Sequence, residues 1–72
     1  METKMKLSAR NVFRGKITKV VMDATTAQIV MDVHGATITA SITKASAEEL
    51  ELKEGQNAMA IIKSSDVIIA VD

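Results

Sequence analysis

The most regular hydrophobic pattern in the chain runs from Ala27 to Thr43 and is interrupted once. Ala27, Ile29, Met31 and Val33 alternate with Gln28, Val30 and Asp32; after His34-Gly35, Ala36, Ile38, Ala40 and Ile42 alternate with Thr37, Thr39, Ser41 and Thr43. Successive side chains of a strand point to opposite faces, so a period of two predicts two strands with one apolar face and one polar face. His34-Gly35 is the tight turn that joins them. Upstream, Leu7 to Val21 is strand-like, with Gly15 expected to be a bend or bulge. Asp23-Ala24-Thr25-Thr26 reads as a turn into the hairpin.

The pattern changes after Thr43. Ser46-Ala47-Glu48-Glu49 has the form of a capping box, which predicts a short helix starting at Ser46, running through Leu50 and Leu52 and stopping at Gly55. Two further strands are expected, Ala58–Lys63 and Asp66–Val71. Met59, Ile61, Ile68 and Ala70 lie on the face opposite Ala60, Ile62, Val67, Ile69 and Val71, so both faces of these strands require cover. The element order predicts an all-β fold, a small five-stranded OB-like barrel with one short helix between strands 3 and 4. Residues 7–72 form a single domain, preceded by a frayed N-terminus at residues 1–6.

Composition adds a requirement for partners. A chain of 72 residues without cysteine, and with one histidine, has neither disulfides nor a metal cluster to supplement a small core. With 47% hydrophobic residues and almost no aromatics, association into a homo-oligomer is the remaining way to bury enough surface. Charge removes several classes of function. Nine basic and nine acidic residues cancel, and Phe13 is the only aromatic, which argues against a nucleic-acid-binding barrel with its basic groove and stacking rings. No apolar stretch approaches the roughly 18 residues of a membrane span, and no signal-type core follows Met1, so a cytoplasmic protein is expected. Glu48, Glu49, Glu51 and Glu54 read as a solvated helix face, and His34 as a turn residue. Ser64 and Ser65 lack a histidine base or a nucleophile elbow, so no enzyme activity is expected.

Two polar segments near the chain ends carry the candidate chemistry. Ser8-Ala9-Arg10-Asn11 and Lys63-Ser64-Ser65 each place a fixed cation beside hydroxyl and backbone N–H donors, the combination a desolvated tetrahedral dianion needs. Alone, Arg10 or Lys63 is an ordinary solvated or snorkelling charge. Together, with the Thr43 hydroxyl at the strand–helix junction as a further donor, they form an oxyanion site.

Ser8-Ala9-Arg10-Asn11, Gly15-Lys16-Ile17, Ala40-Ser41-Ile42-Thr43, Leu52-Lys53-Glu54-Gly55 and Ala60-Ile61-Ile62-Lys63, in this order and spacing, resemble the molbindin (Mop) family, a TOBE-like barrel domain. The likeness extends from about Met5 to Val71. It implies binding of molybdate or tungstate as the intact oxyanion, with no metal-ligating side chains and no further cofactor. It also implies a homohexamer organised as a trimer of dimers, with pockets between subunits. By the same resemblance Ser8, Arg10 and Thr43 supply a hydroxyl, a charged donor and a hydroxyl, and Lys63 supplies an ammonium with Ser64 beside it. Backbone N–H groups around Ala9, Lys44 and Ala45 complete the shell. Intracellular oxyanion storage is the implied role. The competing readings are a nucleic-acid-binding OB-type module and a purely structural assembly module.

Overall fold

The computed structural model describes residues 11–72; positions 1–10, which include the segment expected to fray and the candidates Ser8, Ala9 and Arg10, lie outside the described residues. The elements are β1 (Asn11–Met22), β2 (Thr26–Val33), β3 (Ala36–Thr43), α1 (Lys44–Glu49) and β4 (Asn57–Ile62), followed by a 3₁₀ turn at Ser64–Asp66. The strands form one antiparallel sheet in the order β3-β2-β1-β4. The OB-like class expected from the sequence is the one observed.

The β2–β3 hairpin follows the sequence pattern residue by residue. Ala27, Ile29, Met31 and Val33 are buried, joined by Ile17 from β1 and Ala47 from α1. Thr37, Thr39, Ser41 and Thr43 are exposed. At the turn, His34 has φ 51° and Gly35 φ 90°. Positive φ at both central positions gives the reversal a twist that matches the twist of the strands it joins.

β1 corrects one expectation. Ile17 faces Met31 and Lys19 faces Val30, so the extra, unpaired residue is Thr18, and the bulge lies there rather than at Gly15. A bulge reverses the in–out alternation, which explains why Ile17 and Val20, three apart, both turn inward. Gly15 has a different role. A Cβ at this position would collide with the Asp32 carbonyl oxygen and stand 2.8 Å from Val33 Cγ2, so the missing side chain lets β1 close onto β2.

The helix is also shifted from its expected limits. Its N-cap is Thr43, whose hydroxyl accepts from the Ser46 N–H at 3.0 Å, and not Ser46. Its stop is Glu51, at φ 53°, and not Gly55. The Leu52 N–H donates to the Ala47 carbonyl and the Glu51 N–H to the Glu48 carbonyl, both at 3.1 Å, which is the bond pair of a Schellman stop. Gly55, at φ 86°, serves the next turn, which is closed by Gln56 N–H to the Lys53 carbonyl at 3.3 Å. A left-handed conformation costs a side-chain-bearing residue roughly 1–2 kcal/mol, part of which glycine returns as unfolded-state entropy. Glu51→Gly is therefore expected to stabilise the protein by about 0.5–1 kcal/mol, a rise in thermal midpoint of roughly 2–8 °C at fixed protein concentration. A lower midpoint would show that the Glu51 side chain stabilises the fold by a contact of its own.

The last expected strand is not formed among the described residues. After the Ser64–Asp66 turn, residues 67–72 join no sheet among the described residues, and Ile68, Ile69 and Val71 are 91%, 83% and 92% exposed. Four of the five expected strands thus form in one copy. The apolar faces of the fifth remain in water.

Candidate functional site

The pairing of β1 with β4 fixes one half of the candidate site. Asn11 lies opposite Ile62 and its Nδ2 donates to the Ile62 carbonyl at 3.0 Å. The next residue, Lys63, is exposed and caps the Ser64–Asp66 turn, which the Asp66 N–H closes onto the Lys63 carbonyl at 2.9 Å. An ammonium and the exposed serines 64 and 65 are thereby presented beside the start of β1. Arg10 precedes Asn11 in the chain and, with Ser8 and Ala9, is outside the described residues.

Thr43, Lys44 and Ala45 form the other half. Thr43 ends β3 opposite Thr26, and its Oγ1 is 2.8 Å from Ser46 Oγ in addition to capping the Ser46 N–H. The expected role of the Lys44 backbone is corrected. Its N–H donates to the Thr25 carbonyl at 2.9 Å, so a single donor is already committed to tying α1 to the turn before β2. The Ala45 N–H is engaged neither by that carbonyl nor by the Thr43 hydroxyl.

The two halves are at opposite ends of β1. Lys63 follows the residue paired with Asn11, whereas Thr43 faces Thr26, next to the Ala27 that pairs with Met22. The twelve residues of β1 separate them. One copy of the chain does not bring Lys63 and Thr43 together, so a pocket containing both draws one half from each of two copies.

Two concavities accompany these groups. One, of about 500 Å³, opens between the unpaired edges of β3 and β4 and is lined mainly by apolar side chains, among them Ile38, Ala40, Leu52 and Ile62. It is the open side of the barrel and offers no cation to an oxyanion. The other, of about 690 Å³, lies by Arg14, Lys16, His34 and Asn57. Arg14 and Lys16 flank Gly15 in the sequence, a legible pairing on one strand face. His34 joins them only through the β1–β2 register, which sets Lys16 opposite Asp32. Among the described residues, no group of three or more His, Asp or Glu side chains could hold a metal ion, and no helix is long and apolar enough to cross a membrane.

Comparison with known proteins adds four relationships. The TOBE domain model matches residues 7–69. Molybdenum-pterin-binding protein 1 of Clostridium pasteurianum is 42% identical over 66 residues, covering 90% of this chain and 97% of that protein. The molybdenum transport protein ModE of Herbaspirillum seropedicae is 42% identical over 69 residues, 94% of this chain, but the chain spans only 26% of its length. Among solved structures, a molybdate binding protein from Sporomusa ovata superposes with a TM-score of 0.89 at 31% identity, covering 93% of this chain and all of that one.

Proposed function

This chain belongs to the TOBE domain family, among its small Mop-type members, and from that premise we propose that it is a cytoplasmic molybdate- and tungstate-binding protein that stores the oxyanion reversibly between the subunits of a homo-oligomer. The observation that carries the subunit placement is the separation of Thr43 from Lys63 along β1. A site built from both needs a second copy. The exposed segment with Ile68, Ile69 and Val71 supports the same assembly, because a second copy is the surface most readily available to cover it. A hexamer, a trimer of dimers, is the stoichiometry proposed.

In this reading Lys63 neutralises the anion, and Ser64, Thr43 and the Ala45 N–H direct hydrogen bonds at its oxygens. Arg10, with Ser8 and Ala9, completes the shell from the segment covalently joined to Asn11, which is held at Ile62 beside Lys63. Ordinary hydrogen bonds and ion pairing hold the ligand, so release needs no redox step. Sulfate has the same charge and shape, and a rigid pocket sized for longer metal–oxygen bonds leaves it under-coordinated. Because the oxyanion binds only the assembled form, it raises the stability of that form.

Native mass spectrometry with and without molybdate tests the proposal. Wild type is expected as six protomers that gain discrete molybdate masses. Lys63→Ala should keep the oligomer mass while binding molybdate at least about tenfold more weakly, the loss expected for one charge-assisted hydrogen bond. A monomer that takes up no molybdate would overturn the reading; an intact oligomer that takes up none would leave the assembly-module reading in its place.

A further inference from the structure

We propose that the concavity beside the His34–Gly35 turn is a separate binding site for a small organic phosphate, with Arg14, Lys16 and His34 receiving the phosphate. Arg14 and Lys16 are two residues apart on β1 and so project from the same sheet face. Register places Met59 across from Arg14 on β4, and Lys16 between Asn57 on β4 and Asp32 on β2. These residues and His34 line one space of about 690 Å³. None of them belongs to the Lys63 or Thr43 half-sites.

Charge sets the class of ligand. In a chain with no net charge, two permanent cations share this hollow with one carboxylate, Asp32. Like charges on one sheet face disfavour each other, and a bound dianion removes that cost. The Arg14 guanidinium can grip two phosphate oxygens at once while Lys16 adds a point charge. Asp32 would repel a phosphate placed over it. The anion therefore sits towards Arg14, and Asp32 accepts a hydrogen bond from a hydroxyl or ring N–H of the ligand body.

Size and lining set the rest. The volume lies in the range of about 300–1,000 Å³ used for small organic ligands, far more than a bare tetrahedral ion fills. Met59, half-buried and on the same face of β4 as Asn57, offers an apolar contact for the body, and Asn57 offers an amide at its edge. His34, in the left-handed turn position of the hairpin, stands at the end of the same hollow. Gly15 draws β1 against Asp32 and so brings the cations of β1 to the hairpin end.

The test is a nuclear magnetic resonance titration of the full-length protein, with and without saturating molybdate, using 1-naphthyl phosphate, inorganic phosphate and 1-naphthol as probes. Naphthyl phosphate is expected to shift the Asn57 side-chain amide and the His34 ring signals saturably, equally with molybdate present. Each of the other two probes should bind at least about tenfold more weakly, and Arg14→Gln with Lys16→Gln should weaken naphthyl phosphate by at least about tenfold while leaving molybdate uptake intact. No shift, equal binding of inorganic phosphate, displacement by molybdate, or indifference to the double substitution would each overturn the proposal. None of these outcomes depends on whether Lys63 and Thr43 bind an oxyanion.

Discussion

Replacing Gly15 with alanine is expected to lower the thermal midpoint by roughly 12–24 °C, from a cost of about 3 kcal/mol at 4–8 °C per kcal/mol for a domain of this size. The added methyl would overlap the Asp32 carbonyl oxygen and stand 2.8 Å from Val33 Cγ2. Backbone cannot rotate aside as the end of a long side chain can, so β1 must move off β2. That movement reaches Ile17, 1% exposed, whose N–H donates to the Gln56 carbonyl and whose carbonyl accepts from the Gly55 N–H. Gly35→Ala and Gly55→Ala are useful controls. Both positions have positive φ but open space around the Cβ, so each should cost only the left-handed penalty of about 1–2 kcal/mol. Circular dichroism melts at one protein concentration make the comparison. A Gly15→Ala midpoint no lower than that of the two controls would mean that β1 does not approach β2 as described.

Ile68→Asp combined with Ile69→Asp is expected to dissociate the oligomer and abolish molybdate uptake. Each side chain is almost wholly in water in a single copy, so the substitution should leave the folded protomer and its far-ultraviolet spectrum intact. Burial of an isoleucine contributes about 1.5–3 kcal/mol, so the pair removes roughly 3–6 kcal/mol per protomer, before counting the cost of burying two carboxylates. That is a 10²- to 10⁴-fold change in an association constant by the usual factor of ten per 1.4 kcal/mol. Light scattering would read the mass and calorimetry the molybdate. Unchanged mass would show that this segment is not part of the interface.

The parts of the fold legible in the sequence are those fixed by neighbours. The hairpin from Thr26 to Thr43 needs only alternation and a His-Gly turn, and β4 needs only an apolar run between a glycine turn and a polar stop. The sequence points to Gly15 rather than Thr18 for the bulge because a glycine stands out, whereas a one-residue slip in register shows only as Ile17 and Val20 sharing a face. Thr43 and Ser46 are both hydroxyl residues with a polar partner three positions on. The earlier one caps, because Thr25 also captures the Lys44 N–H and starts the helix at the strand end. That bond joins residues distant in sequence, so the loss of Lys44 as an anion donor was not readable. The helix stop at Glu51 is made by local bonds to Ala47 and Glu48, whereas propensity alone points to Gly55. The segment after Asp66 has the apolar pattern of a strand, but it pairs with no strand among the described residues.

The placement of Lys63 and Thr43 at opposite ends of β1 has a genetic consequence. On the proposed function, each pocket of a two-fold pair would take Lys63 from one chain and Thr43 from the other. A chain carrying Lys63→Ala and a chain carrying Thr43→Val should each be defective alone, yet when co-assembled one pocket of the pair would hold both damaged residues and the other neither. Two inactive alleles should therefore complement each other in trans, restoring half of the pockets in every mixed pair.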